Sequence, residues 1–136
     1  MAHGAIVMSP AVPETPRPAA AVVPEWVREH YALVDAAEVD RYSEDFSEDI
    51  ELRFGSHPPV RGRAAVRDAL AGGHAEHAMA HTIVNCWEAD GDTILEFDVR
   101  YTYPDGHSQL VPSLAIIHRN AVGLTDSLRV YVEKPR

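Results

Sequence analysis

The periodicity of the chain changes at Thr82, and this change constrains the fold more than any other feature. Beyond it, TIVNCWE, DTILEFDVRYTY, HSQLVPSLAIIHR and LTDSLRVYVE are rich in β-branched and aromatic residues. The short turns ADGD, PDG and NAVG separate them, which predicts an antiparallel sheet. Tyr103-Pro104-Asp105-Gly106-His107 carries the strongest hairpin signal. Pro104 and Asp105 suit a type I turn, and Gly106 suits the left-handed position after it. Pro112 marks an edge position or a bulge in its strand.

Before Thr82 the pattern is helical. Pro24 suits a first helical turn, where its missing N–H costs nothing, and Glu25 favours the positive helix N-terminus. WVREHYALVDAAE then places Val27, Tyr31, Val34 and Ala37 on one stripe. VDRYSEDF (39–46) predicts a second, shorter helix with Val39, Tyr42 and Phe46 along one side. Ile50, Leu52 and Phe54 alternate with Glu51 and Arg53, the period of a half-buried strand. GSHPPVRG (55–62) reads as a turn-rich loop. Residues 63–77 predict a third helix with Val66, Ala69 and Leu70 inward, weakened at its far end by Gly72 and Gly73. The order α-α-β-α-β-β-β-β, helices first and antiparallel strands last, predicts a single α+β domain over residues 24–136. An Ala/Pro-rich tail expected to be flexible occupies residues 1–23.

Charge and composition exclude several classes. Twelve Lys and Arg stand against 21 Asp and Glu, a formal net charge of −9, so neither a nucleic-acid surface nor an anionic membrane is expected as partner. No run approaches the roughly 20 apolar residues of a membrane span. The N-terminus does not read as a signal peptide. Cys86, the only cysteine, admits no internal disulfide, in keeping with a cytoplasmic location. No G-x-S-x-G elbow or phosphate-binding loop is present.

The element order, together with HYALVD, DFSEDIELRFGSHPPVRGRAAV, VRYTYPDG and GLTDSLRVYVE, resembles the nuclear transport factor 2-like superfamily, also called SnoaL-like or ketosteroid isomerase-like. The resemblance covers about residues 25–134. It implies a conical barrel, a curved sheet wrapped around helices, with one deep and mostly apolar pocket, and a homodimer. The activities it implies are isomerisation, polyketide cyclisation and epoxide opening, alongside members with no chemistry. The isomerases' general-base Asp falls at Phe54, or at Leu52 with a different gap. Their oxyanion Asp falls at Ala115, and the last-strand Asp of the cyclases and epoxide hydrolases at Val130. None of these apolar side chains can move a proton. The isomerases' oxyanion Tyr falls at His30, beside Tyr31. The epoxide hydrolases' Asp meets Asp98 and their Arg meets Glu96.

Asp98 and Arg100 share one face of their strand, while Leu95, Phe97, Val99 and Tyr101 form the other. A one-residue slip in register exchanges the faces, so alternation leaves Asp98 open to either the pocket or the outside. His74, His77 and His81 lie within ten residues, GGHAEHAMAH. The third helix is expected to fray near Ala78, with the strand beginning by about Thr82. That separates His81 from the pair and argues against a metal site. His74 and His77 are expected at a helix end on the surface. His81 aligns with Ile83, Asn85 and Trp87 on one side of the strand.

The expectation is a small, cofactor-free enzyme acting by general acid–base chemistry on an apolar small molecule in a deep pocket. His30, His81 and Asp98 are the catalytic candidates. Tyr31, Phe54, Asn85, Trp87, Arg100, Ala115 and Val130 are the candidates for contacting substrate. No metal ligands are expected. A binding protein using the same pocket without catalysis, supported by the three apolar replacements, is the alternative.

Overall fold

The computed structural model describes residues 15–133. Helix α1 spans Glu25–Asp35 and α2 Val39–Tyr42, the latter followed by a 3-10 turn at Ser43–Asp45. Strand β1 (Phe46–Phe54) leads to a two-residue strand β2 (Val60–Arg61) and helix α3 (Arg63–Glu76). Four strands then follow: β3 (Ala78–Ala89), β4 (Asp92–Thr102), β5 (Ser108–Arg119) and β6 (Thr125–Val132). They build one six-stranded sheet in the order β2-β1-β6-β5-β4-β3. Every pairing is antiparallel except β1 with β6, which runs parallel. The architecture is the expected α+β one, with the helices on the inner face of a curved sheet.

The alternation of β4 decides which side is inner. Leu95, Phe97, Val99 and Tyr101 are buried and meet Ala115, Ser113, Val111 and Gln109 of β5 across the ladder. Leu128 and Val130 of β6, and Ile50 and Leu52 of β1, continue the same apolar surface. Onto it α1 lays Val27, Tyr31 and Val34, the stripe expected from helical spacing. Val66 of α3 is fully buried against the same core.

The hairpins follow their turn residues. Asp90 and Gly91 both adopt positive φ (54° and 82°) between β3 and β4, the two-residue turn whose twist matches the flanking strands. Between β4 and β5, Gly106 has φ 91° and donates its N–H to the Tyr103 carbonyl at 2.9 Å, closing the expected Pro-Asp-Gly turn. Pro112 pairs with Asp98 on one side, while pairing with β6 begins only at Ser113. Its missing N–H thus falls where β5 is locally an edge.

Three expectations change. The second helix is one turn shorter than the stretch 39–46, and Phe46 opens β1 instead. Val60–Arg61 pairs with Glu51–Leu52, although the Pro-rich loop gives no strand signal. Strand β3 begins at Ala78, not Thr82: Gly72 and Gly73 stay helical, and His77 is already extended (φ −159°, ψ 155°).

The tail expected over residues 1–23 is described from residue 15, and its first 14 residues lie outside the described ones. Residues 15–23 carry no helix or strand but are fastened to the sheet. Arg17 reaches Asp98 and Glu96, the Ala20 N–H donates to the Ile83 carbonyl at 2.7 Å, and Val23 packs against the core.

Candidate functional site

Asp35 ends α1, one turn beyond Tyr31 on the same side of the helix. It faces β3 and takes two hydrogen bonds from one residue. The backbone N–H of His81 donates to Oδ2 at 2.9 Å, and His81 Nδ1 lies 2.6 Å from Oδ1. With the carboxylate ionised, the proton between them sits on Nδ1, leaving Nε2 as the basic nitrogen. The His81 ring packs on Tyr31 and Phe97, both at 5.0 Å between ring centres, and its side chain is only 10% exposed. His81 is paired with Val99 on the inner side of the sheet. Tyr31 is buried, and its hydroxyl is held well above the usual phenol range, by burial first and by Asp35 and Tyr42 second. It therefore stays a neutral donor.

His30 occupies the preceding position on α1. Its ring meets Tyr31 edge-on at 4.9 Å and Tyr42 at 5.4 Å. Burial, reinforced by His81, lowers its pKa to about 4, so it is a neutral imidazole at pH 7. Tyr42 in turn hydrogen-bonds His74 Nε2 at 2.8 Å. Burial pushes the Tyr42 hydroxyl up to about 12 and lowers the His74 imidazole below its ordinary range, His77 adding to the second effect. His77 packs edge-on against Tyr101 and Tyr103, with a buried Nδ1 that none of the described residues bonds. His74 and His77 stand at the end of α3 as expected, but half-buried against Tyr42, Tyr101 and Tyr103 and not free in solvent. Because α3 continues to Glu76 and β3 starts at once, both rings turn inward. Among the described residues, no three His, Cys, Asp or Glu side chains are arranged to hold a metal ion.

Two spaces flank α1. A groove of about 450 Å³ follows the seam between α1 and β3, and Tyr31, Asp35, His81 and Ile83 line it together with Ala20 and Val23 of the tail. A second cavity, about 260 Å³, lies on the other side of the helix, where His30 and Trp26 meet Phe46, Ile117, Arg119 and Leu128. The Arg119 guanidinium stacks 4.3 Å over the Trp26 ring.

The structure brings His30, Tyr31 and His81 together and separates the other polar candidates from them. Asp98 pairs with Thr82 and Pro112 on the outer face, opposite Phe97 and Val99. It binds Arg17 by two guanidinium nitrogens and the backbone N–H, which hold its carboxyl below the ordinary range. Arg100 shares that outer face and donates to Ser108 Oγ at 3.2 Å. Asn85 and Trp87 fall outside for a different reason. The β3–β4 register shifts between Ile83 and Asn85, so Val84 is an extra residue. His81 and Ile83 point in, whereas Asn85 binds Glu96 on the outer face and Trp87 is 49% exposed. Ala115 is buried on the inner face, Val130 packs against the core, and Phe54, at the end of β1, is 39% exposed.

Asp35 is the group that sequence reasoning passed over. Its signal was the i, i+4 spacing from Tyr31, hidden because an acidic residue near a helix C-terminus reads as solvent-facing.

The fold has solved relatives. A candidate polyketide cyclase from Xanthomonas campestris pv. campestris superposes with TM-score 0.71 at 18% identity, covering 79% of this chain and 87% of that one. A Catenulispora acidiphila protein with a ketosteroid isomerase-like fold, in complex with trimethylamine, gives 0.72 at 16% identity, with 81% and 86% covered. A candidate isomerase from Bacillus subtilis gives 0.71 at 19%, with 80% and 84% covered. At such identities the likeness establishes the fold alone. Comparison with curated proteins yields no match. The family model of the SnoaL-like domain matches residues 27–124, from α1 through β5, and the chain belongs to that family.

Proposed function

We propose that this protein is an acid–base enzyme that moves a proton on a small, mostly apolar carbonyl compound bound between α1 and β3. The observation that carries the reading is the Asp35–His81 pair, doubly hydrogen-bonded and opening onto a groove of small-molecule size. His81 Nε2 takes a proton from the carbon next to the carbonyl. Asp35 holds the ring in orientation and stabilises the imidazolium that forms. Tyr31, kept neutral by burial, donates to the oxygen on which negative charge develops. Return of the proton from His81 to a different carbon gives isomerisation. Attack of the enolate carbon on a second carbonyl gives cyclisation, with the His81 proton going to the new alkoxide. Neither route needs a cofactor. The solved relatives described as cyclase and isomerase candidates support this choice of chemistry.

The outer face supports the expected homodimer. Ile94, Leu114 and Ile116 form an apolar stripe there, flanked by the exposed Trp87 and Tyr131. The single cysteine supports a cytoplasmic location.

Deuterium wash-in tests the chemistry whatever the product. A panel of apolar enolisable ketones and β-keto esters is incubated with the protein in D2O, and loss of the acidic C–H signal is followed by proton NMR. Exchange should be catalysed for at least one compound. It should fall about 100-fold or more in His81→Gln and in Asp35→Asn, the usual scale for a positioned base. The second reading, a binder without catalysis, is favoured by the apolar Phe54, Ala115 and Val130. Shift perturbations without exchange across the whole panel would establish it instead.

A further inference from the structure

The segment before α1 has a path that composition does not foretell. It begins on the outer face of the sheet, crosses the free edge of β3 and ends at the helix. Its anchor is Arg17, which makes a fork on Asp98 (Nη2 to Oδ1, 2.7 Å; Nε to both oxygens, 3.1 Å) and reaches Glu96 Oε2 with Nη1 at 2.8 Å. The Arg17 backbone N–H adds a bond to Asp98 Oδ2 at 2.7 Å. Glu96 is itself fixed by Asn85 on its other oxygen, at 2.7 Å. Asp98 is buried beneath this contact, at 6% exposure. A planar guanidinium held by two carboxylates, with the backbone N–H of the same residue bonded to one of them, is a directed attachment, unlike a lone surface pair. Three residues on, Ala20 donates to the Ile83 carbonyl, where the strand bulges. Ala19, Ala20 and Val23 then face the same groove as Tyr31, Asp35 and His81.

From this path we infer that residues 17–23 are a permanent wall of the substrate groove, latched from the far side of the sheet by Arg17, Glu96 and Asp98. The wall offers only small apolar side chains to the space before His81, so it sets the width of what can enter and favours slender apolar molecules. Arg17, Glu96 and Asp98 are positioning residues: they touch no reacting atom and act through the wall. The inference rests on the groove being the site proposed above, but it makes claims about access that hold whatever the chemistry.

The test uses the full chain and needs no substrate. Diethyl pyrocarbonate acylates accessible neutral imidazoles, and its rate at His81 is read by peptide mass spectrometry. His107, half-exposed at the β4–β5 hairpin, serves as internal reference. Hydrogen exchange reports the Ala20 amide in parallel. Arg17→Gln should abolish protection at Ala20 and raise the His81 rate at least fivefold, with His107 unchanged. Asp98→Asn should shift both readouts in the same direction. Ala19→Leu leaves the latch intact and narrows the groove. It should keep Ala20 protected and slow His81 at least threefold, a result that no unfolding artefact can imitate. The inference is overturned if Arg17→Gln leaves Ala20 protected, or frees it without changing the His81 rate. It is also overturned if Ala19→Leu leaves that rate unaltered. Deuterium wash-in by the unaltered protein stands or falls separately from each of these outcomes.

Discussion

Replacing His30 with glutamine should flatten the acid limb of the protein's stability. The folded chain keeps His30 neutral down to a pKa of about 4, because its ring is buried against Tyr31 and Tyr42 and lies near His81. An unfolded chain protonates the same group near 6.5. As pH falls through 6.5 the unfolded state takes up a proton that the folded state refuses, so stability is lost from there downward. The loss levels off below about 4, where the folded state also binds the proton. At about 1.36 kcal/mol per pH unit, the interval is worth about 3 kcal/mol. Urea unfolding at pH 7, 6, 5 and 4 measures this, since a slope of about 1.5 kcal/mol per molar turns it into a midpoint difference of about 2 M. His74, lowered by burial, acts in the same direction, and His118, raised by Asp126, acts in the opposite one. Both are present in wild type and variant and cancel in the comparison. Glutamine changes the stability at pH 7 through lost ring packing, but it carries no titration. Parallel curves for wild type and His30→Gln from pH 7 to 4 would refute the claim that this imidazole is buried neutral.

Three further substitutions probe the scaffold. Ile50 is fully buried on the inner face of β1, so Ile50→Ala should cost about 2–5 kcal/mol in chemical denaturation. Gly91 and Gly55 both have positive φ (82° and 57°), but a Cβ at Gly91 would lie 3.1 Å from His118 Nε2, whereas at Gly55 it would meet nothing within 4 Å. Gly55→Ala should therefore lose only the backbone preference of about 1–2 kcal/mol, and Gly91→Ala should lower the melting temperature further.

The fold was legible because its signals are periodic. Val27, Tyr31 and Val34 announce one helix face, and the Pro-Asp-Gly and Asp-Gly turns fix two of the three hairpins that order the sheet. His81 was legible for the same reason, since it shares the alternation of Ile83. What stayed hidden depends on single events or on partners distant in sequence. Asn85 and Trp87 continue that alternation on paper, and the extra residue at Val84 reverses them with no local mark in the sequence. Asp98 sits on a strand whose two faces are chemically distinct, yet its partner Arg17 is 81 positions away in a stretch that reads as an unstructured tail. The Asp35–His81 bond spans 46 residues, and neither end carries a motif. Composition excludes whole classes of partner, but the Asp35–His81 pairing is a tertiary fact.

The bulge at Val84 divides β3 into two territories with separate obligations. Up to Ile83 the strand answers to the groove: its side chains must fit Tyr31, Phe97 and whatever occupies the space beside Asp35. From Asn85 onward the same alternation answers to the outside, through Glu96 and the exposed Trp87. One inserted residue thus uncouples two surfaces that a regular strand would force to vary in step. A lineage can change the outward residues beyond the bulge while leaving the groove-facing residues before it untouched.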